Sequence, residues 1–199
     1  MLTYFVALNS EDPKAIRETF YMPPDKARVG DEIASMYADM SRYRHVMNTH
    51  FPGQDIGLDL HTLDDSQIAQ MKQHLATAKV TMDGNKATIV GTEPKWATPG
   101  QLTDVDWRLR LDRGKWKLDP SMMMGGTALA AIDNKVPEGG NSEDLAMFYI
   151  MRRFSPELRK IADAVESGRI TTHDEAVKQA VTAVSSAFQS VEAEFSKPK

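Results

Sequence analysis

The sequence predicts an α+β fold, in which N-terminal helices pack on a curved antiparallel sheet and a C-terminal helical extension follows. Three observations predict this class. Up to residue 77, apolar residues recur at spacings of three and four, which is typical of amphipathic helices. Residues 79–118 change to a period of two, which is typical of strands with one buried face. Beyond residue 142 the helical spacing returns. We therefore expect an α+β domain over 1–120, a linker or loop over 121–141 and a helical extension over 142–199.

The composition excludes several function classes. The chain has 199 residues, of which 41% are apolar and 26% charged, with a net charge of −4. These values are typical of a soluble globular protein with a sizeable core. Basic residues are dispersed among acidic ones, so nucleic acid is not an expected partner. No apolar run is long enough to predict a membrane span. The absence of cysteine excludes disulfides, thiolate metal sites and cysteine nucleophiles.

The N-terminal part predicts four helices. Asp12-Pro13 is a helix start signal, with Asp at the N-cap and Pro at the first helical position, and it separates helices over 1–9 and 13–21. A longer helix over 25–50 ends at Pro52-Gly53, and another covers 63–77. The apolar stripe of the long helix comprises Ile33, Met36, Tyr37, Met40, Tyr43, Met47 and Phe51. The helical pattern begins at Met1 without a capping residue, and we expect either an exported chain whose leader has been removed or a cytoplasmic chain.

Two hairpins follow, each with a defined register. Gly84-Asn85 forms the first turn, so that Asp83 faces Lys86, Met82 faces Ala87 and Val80 faces Ile89. In the second hairpin the turn is Arg113-Gly114. There Leu111 faces Trp116, Leu109 faces Leu118, Asp112 faces Lys115 and Arg110 faces Lys117. Both registers place the apolar side chains of each hairpin on one face, and this agreement supports the pairing.

The C-terminal part predicts three helices. Residues 143–153 form the first, Ser155-Pro156 begins the second over about 156–167, and a capping box at 172–175 begins the third over 173–195. The last helix carries a stripe with alternating spacings of four and three, which favours pairing with another helix. Its members are Val177, Val181, Val184, Phe188, Val191 and Phe195.

Two segments resemble a known superfamily. The N-terminal phrase from Tyr4 to Pro13 and the strand pair from Trp107 to Leu118 are similar to the opening helix and a Gly-turn hairpin of the nuclear-transport-factor-two-like (cystatin-like cone) superfamily. The resemblance covers residues 1–120. It implies a cone-like domain, with a sheet curled around helices and a cavity inside. Members include isomerases, dehydratases and cyclases as well as binding and assembly modules, so the fold does not fix the function.

The first functional hypothesis is a non-enzymatic binding module for a small apolar ligand or a protein partner. Its pocket is expected between the long helix and the apolar sheet face, where apolar burial and one or two hydroxyls would hold the ligand. The predicted ligand-binding residues are Tyr37, Met40, Tyr43, Met47, Trp107 and Trp116, with Leu109 beside them.

Two alternatives remain open at this stage. An isomerase-like or dehydratase-like enzyme would use Asp106 or His61 as the base and Tyr37 or Tyr43 as a hydrogen-bond donor, because such residues carry acid–base chemistry. A structural assembly module would form a homodimer through the stripe of the last helix. The spacing of the histidines supports no metal site, and no cofactor motif is present, so none is predicted.

Overall fold

The N-terminal helices form as their start signals predict. The computed structural model describes residues 2–58, 65–94, 102–119 and 142–195. Helix α1 covers Leu2–Leu8, α2 covers Pro13–Thr19, and a 3₁₀ turn at Pro24–Lys26 precedes α3, Ala27–His50. Asp12 caps α2, since its Oδ1 accepts a hydrogen bond of 2.9 Å from the backbone N–H of Lys14. Helix α4 covers Asp65–Ala76.

The four strands form one antiparallel sheet in the order β1-β2-β3-β4. Their bounds are Lys79–Asp83, Lys86–Pro94, Leu102–Asp112 and Lys115–Leu118. Both predicted hairpin registers are confirmed, including Val80 opposite Ile89 and Leu111 opposite Trp116. The turns have the required backbone, because φ is +56° at Gly84, +50° at Arg113 and +78° at Gly114. The predicted fold class, α+β with N-terminal helices, an antiparallel sheet and C-terminal helices, is therefore confirmed.

One face of the sheet is apolar across all four strands, but the helices cover only part of it. The central pairing joins the two hairpins so that Ala87 lies opposite Leu109. Ala87, Leu109 and Leu118 are buried, and Ile89 and Trp107 are half-buried against the same cluster. Large side chains at the margins of this face stay exposed. They are Val80, Met82, Leu111 and Trp116.

Between residues 142 and 195 the structure describes two helices, where three were predicted. Helix α5 runs without a break over Ser142–Glu166, with Pro156 inside it, and α6 covers His173–Phe195. The predicted boundary at Ser155-Pro156 is wrong. A proline inside a helix removes one backbone donor and costs about 3 kcal/mol. Phe154 and Leu158 are buried on either side of it, and their burial offsets that cost.

Helix α3 takes part in two hydrophobic cores. Its N-terminal half packs with α1, α2, α4 and the sheet, through residues such as Ile33 and Met36. Its C-terminal half packs with α5 and α6, through residues such as Tyr43 and Met47. At 24 residues α3 is about 36 Å long, which is enough to serve both. The predicted linker over 121–141 lies outside the described residues. No described helix is long and apolar enough to cross a bilayer.

Candidate functional site

Three of the predicted ligand-binding residues pack against the C-terminal helices. Met40, Tyr43 and Met47 are buried in the core shared with α5 and α6. The hydroxyl of Tyr43 donates a hydrogen bond of 3.1 Å to the backbone carbonyl of Ile56. Burial raises the pKa of Tyr43 to about 12. This hydroxyl therefore stays neutral and is committed to holding the loop that follows α3.

Tyr37 lies between the two cores. It is half-buried and contacts both, and its hydroxyl is hydrogen-bonded to that of Tyr4 on α1. Burial raises the pKa of Tyr37, and burial together with the neighbouring Tyr37 raises the pKa of Tyr4 well above its ordinary range.

The two tryptophans of the prediction have different surroundings. Trp107 packs in the N-terminal core, where the ring of Phe5 meets it edge-on at a centroid distance of 5.5 Å. The side chains of α1 thus cover the part of the sheet that was expected to line a pocket with α3. Trp116 is 39% exposed at the margin of the same sheet face. The structure therefore does not bring the six predicted residues together in one cavity.

Trp116 instead lines a cleft between α1, α2 and β4. The cleft has a volume of about 530 Å³. The chain after α2 is held against β4, because the backbone N–H of Tyr21 donates a 2.8 Å hydrogen bond to the carbonyl of Leu118, which lines the cleft. The apolar members of the lining are Tyr4, Val6, Ala7, Ala15, Trp116 and Leu118. The polar members are Thr3, Ser10, Glu18, Thr19 and Lys115.

The polar groups of this cleft offer both donors and acceptors. The hydroxyl of Thr19 donates to the carbonyl of Ile16 at 2.7 Å, which leaves its oxygen available as an acceptor. The carboxylate of Glu18 accepts hydrogen bonds, and the ammonium of Lys115 donates them. Apolar side chains combined with polar groups that can orient a ligand are a feature of small-molecule sites.

Sequence reasoning did not identify α1 as part of a site, although a signal was present. Residues Tyr4 to Leu8 are all apolar, so they surround the helix on every side. A surface helix normally buries only one stripe. Some of these side chains therefore had to face solvent or a ligand, and Val6 is 55% exposed beside the cleft.

The predicted catalytic residues cannot be assigned to this cleft. His61 lies outside the described residues. Asp106 lies in β3 in register with Val90, and its side chain is outside the described part of the chain. In the described parts of the chain, no group of three histidines or carboxylates could hold a metal ion.

A buried carboxylate does occur between α3 and α5, but its surroundings are those of a packing contact. Asp39 is buried, and its Oδ1 lies 3.2 Å from Nε of Arg159. Burial raises the pKa of Asp39, and the nearby Arg159 opposes that effect. Beside it, Arg42 contacts Asp163 at 2.8 Å and Glu166 at 2.6 Å. These charges join the two helices and do not line the cleft at Trp116.

A larger groove of about 920 Å³ lies between α5 and α6. Its walls are mainly charged and small polar side chains, and several charges are neutralised by neighbours. Lys160 contacts Glu157 at 2.7 Å, and Arg153 contacts Glu194 at 2.6 Å. The stripe predicted on α6 is divided, since Val191 is buried while Val181, Phe188 and Phe195 are exposed. Among the described residues, no aromatic side chain lines the groove, whereas Tyr4 and the exposed Trp116 line the cleft, so the cleft is the better candidate for an apolar ligand.

No family model, curated protein or solved structure matches this chain.

Proposed function

We propose that this protein is a binding module that holds a small, mainly apolar ligand in the cleft between α1, α2 and β4. The observation that carries the proposal is the pair of large apolar side chains exposed at this one cleft, Trp116 at 39% and Val6 at 55%. The volume of about 530 Å³ lies within the range of small-molecule sites.

The exposed indole supplies a substantial part of the expected binding energy. A tryptophan side chain has about 250 Å² of surface, so an exposed fraction of 39% leaves about 100 Å² for a ligand to cover. At about 25 cal/mol per Å² this burial contributes at most about 2.5 kcal/mol. Removing the indole should therefore weaken binding by about ten- to sixtyfold.

The polar groups favour a ligand with an apolar body and a polar end. Lys115 would interact with an acidic or carbonyl group of the ligand, and Glu18 and Thr19 would accept hydrogen bonds from its donors. The apolar body would lie between Trp116 and α1.

The test uses the fluorescent probe 1-anilinonaphthalene-8-sulfonate, which has an aromatic body and one anionic group. We expect Trp116→Ala to weaken probe binding by about ten- to sixtyfold. Met82→Ala is the matched control, because Met82 lies on the same sheet face and is 69% exposed, but does not line the cleft. Phe188→Ala controls for probe binding to the exposed row on α6.

Both controls should bind the probe as the unchanged protein does. Equal binding by the unchanged protein and Trp116→Ala contradicts the proposal, as does a larger loss in either control. Far-UV circular dichroism should show the same fold in all four proteins, because each altered side chain is exposed.

A further inference from the structure

Among the residues that the structure describes, β1 is one of the two outer strands of the sheet, and all five of its residues are exposed. Val80 is 54% exposed and Met82 is 69% exposed, although both lie on the apolar face of the sheet. Helix α4 packs against β2 and leaves these two side chains uncovered. An outer strand with free backbone groups and exposed apolar side chains can pair with another strand.

The hairpin turn determines which backbone groups of β1 face outward. In a hairpin closed by a two-residue turn, the residues flanking the turn form a hydrogen-bonded pair, here Asp83 and Lys86. Hydrogen-bonded pairs alternate along the ladder, so Lys79, Thr81 and Asp83 bond to β2. The N–H and C=O groups of Val80 and Met82 therefore point to the free edge.

The strand is complementary to itself when two copies pair antiparallel about Thr81. Val80 then lies opposite Met82 of the second copy, and each of these pairs uses the outward N–H and C=O groups. Lys79 lies opposite Asp83 of the second copy, so a cation faces an anion twice by symmetry. Antiparallel pairings centred on Val80 or on Met82 would also bring the outward N–H and C=O groups of the two strands together. Each of them, however, places Lys79 opposite an uncharged residue and leaves part of the strand unpaired.

From this self-complementarity we propose that β1 is an interface between two copies of this chain, which join their sheets into one of eight strands. In each copy an apolar row crosses the sheet through Met82, Ala87, Leu109 and Leu118. In the dimer this row continues through Val80 of the second copy. A lone lysine on an outer strand discourages pairing with most strands, whereas opposite Asp83 it favours this one partner.

The interface is small, because only five residues of each strand pair. Small interfaces are typical of weak, reversible association. The exposed ion pairs contribute little affinity but determine register and partner choice. We therefore expect a reversible monomer–dimer equilibrium that reaches a substantial dimer fraction only at high micromolar concentration.

The experiment exchanges charges and measures mass by sedimentation equilibrium. Lys79→Asp places two carboxylates opposite each other in a homodimer, and Asp83→Lys places two ammonium groups opposite each other. We expect each variant to remain a monomer. Mixed in equal amounts they should form a dimer at least as well as the unchanged protein, because every pair is then of opposite charge.

Two further variants keep the outcome clear. Thr81→Arg places two arginines opposite each other at the symmetry axis of the dimer, so this variant should be monomeric. Within the chain, residue 81 lies opposite the uncharged Thr88 of β2, so the hairpin should stay intact. Phe188→Ser alters the exposed row on α6 and should dimerise normally. The proposal is overturned if the unchanged protein stays monomeric, if the single-charge variants dimerise as it does, or if Phe188→Ser abolishes the dimer.

Discussion

Leu158 tests whether the C-terminal helices and the N-terminal domain unfold together. It is fully buried in the core that α5 and α6 share with α3. Leu158→Ala removes three carbon atoms, which costs about 2.4 kcal/mol in transfer free energy, and the remaining cavity adds to this. We expect a loss of about 3–4 kcal/mol in the free energy of unfolding. For a chain of this size, that corresponds to a fall in Tm of about 6–16 °C.

The assay follows thermal unfolding by two signals. Far-UV circular dichroism reports the helices. Tryptophan fluorescence reports the segment 96–116, which holds all three tryptophans and includes Trp107 and Trp116 of the sheet. Since α3 belongs to both cores, the loss at Leu158 should lower both transitions equally. Met147→Ala is the matched control in the same helix, where the side chain is 46% exposed and the expected loss is below about 1 kcal/mol.

An unchanged fluorescence transition in Leu158→Ala, with only the helical signal shifted, would refute the reasoning. It would mean that α5 and α6 unfold separately and that α3 does not couple the two cores.

Two other predictions concern the contact between α6 and the loop after α3. The pKa of His173 is raised by the carboxylate of Asp174 and then by the carbonyl of Asp55, which lies 2.6 Å from its Nε2. A raised histidine pKa stabilises the fold fully below the ordinary value of 6.5, and this contribution is lost as pH rises through the raised value. His173→Gln should therefore lose more stability in urea titrations below pH 6.5 than in alkaline buffer, and a loss independent of pH would argue against this. Gly57→Ala should lower the free energy of unfolding more than Gly53→Ala does. At Gly53, where φ is +78°, the backbone strain of an alanine costs about 1–2 kcal/mol by itself. Both glycines have positive φ, but only at Gly57 would a Cβ lie 2.5 Å from Cγ1 of Val177; equal losses in urea denaturation would show that this contact does not limit the site.

Most of the helices and strands, and both hairpin registers, followed from local patterns. Alternation along the strands and the turn residues Gly84 and Gly114 determine which residues are opposite each other, because a shift by one residue would turn every apolar side chain to the other face. The cap at Asp12 likewise fixed the start of α2. These features depend on residues close in sequence, so the sequence alone is sufficient to predict them.

The location of the candidate site depended on contacts between distant segments. The stripe on α3 is continuous in sequence, yet Tyr37 divides it between two cores, and nothing in its spacing indicates which partner each half meets. Pro156 satisfies a local start signal, but burial on both sides keeps it inside a helix.

The sequence by itself determined the α+β class, the order of its elements and the pairing within each hairpin, because periodicity and turn chemistry act over a few residues. Only the tertiary structure decided that α1 fills the space over Trp107, that Trp116 stays open to a cleft and that β1 remains uncovered. Coverage of an apolar face depends on where helices distant in sequence come to lie, and that position is set by the packing of the whole chain.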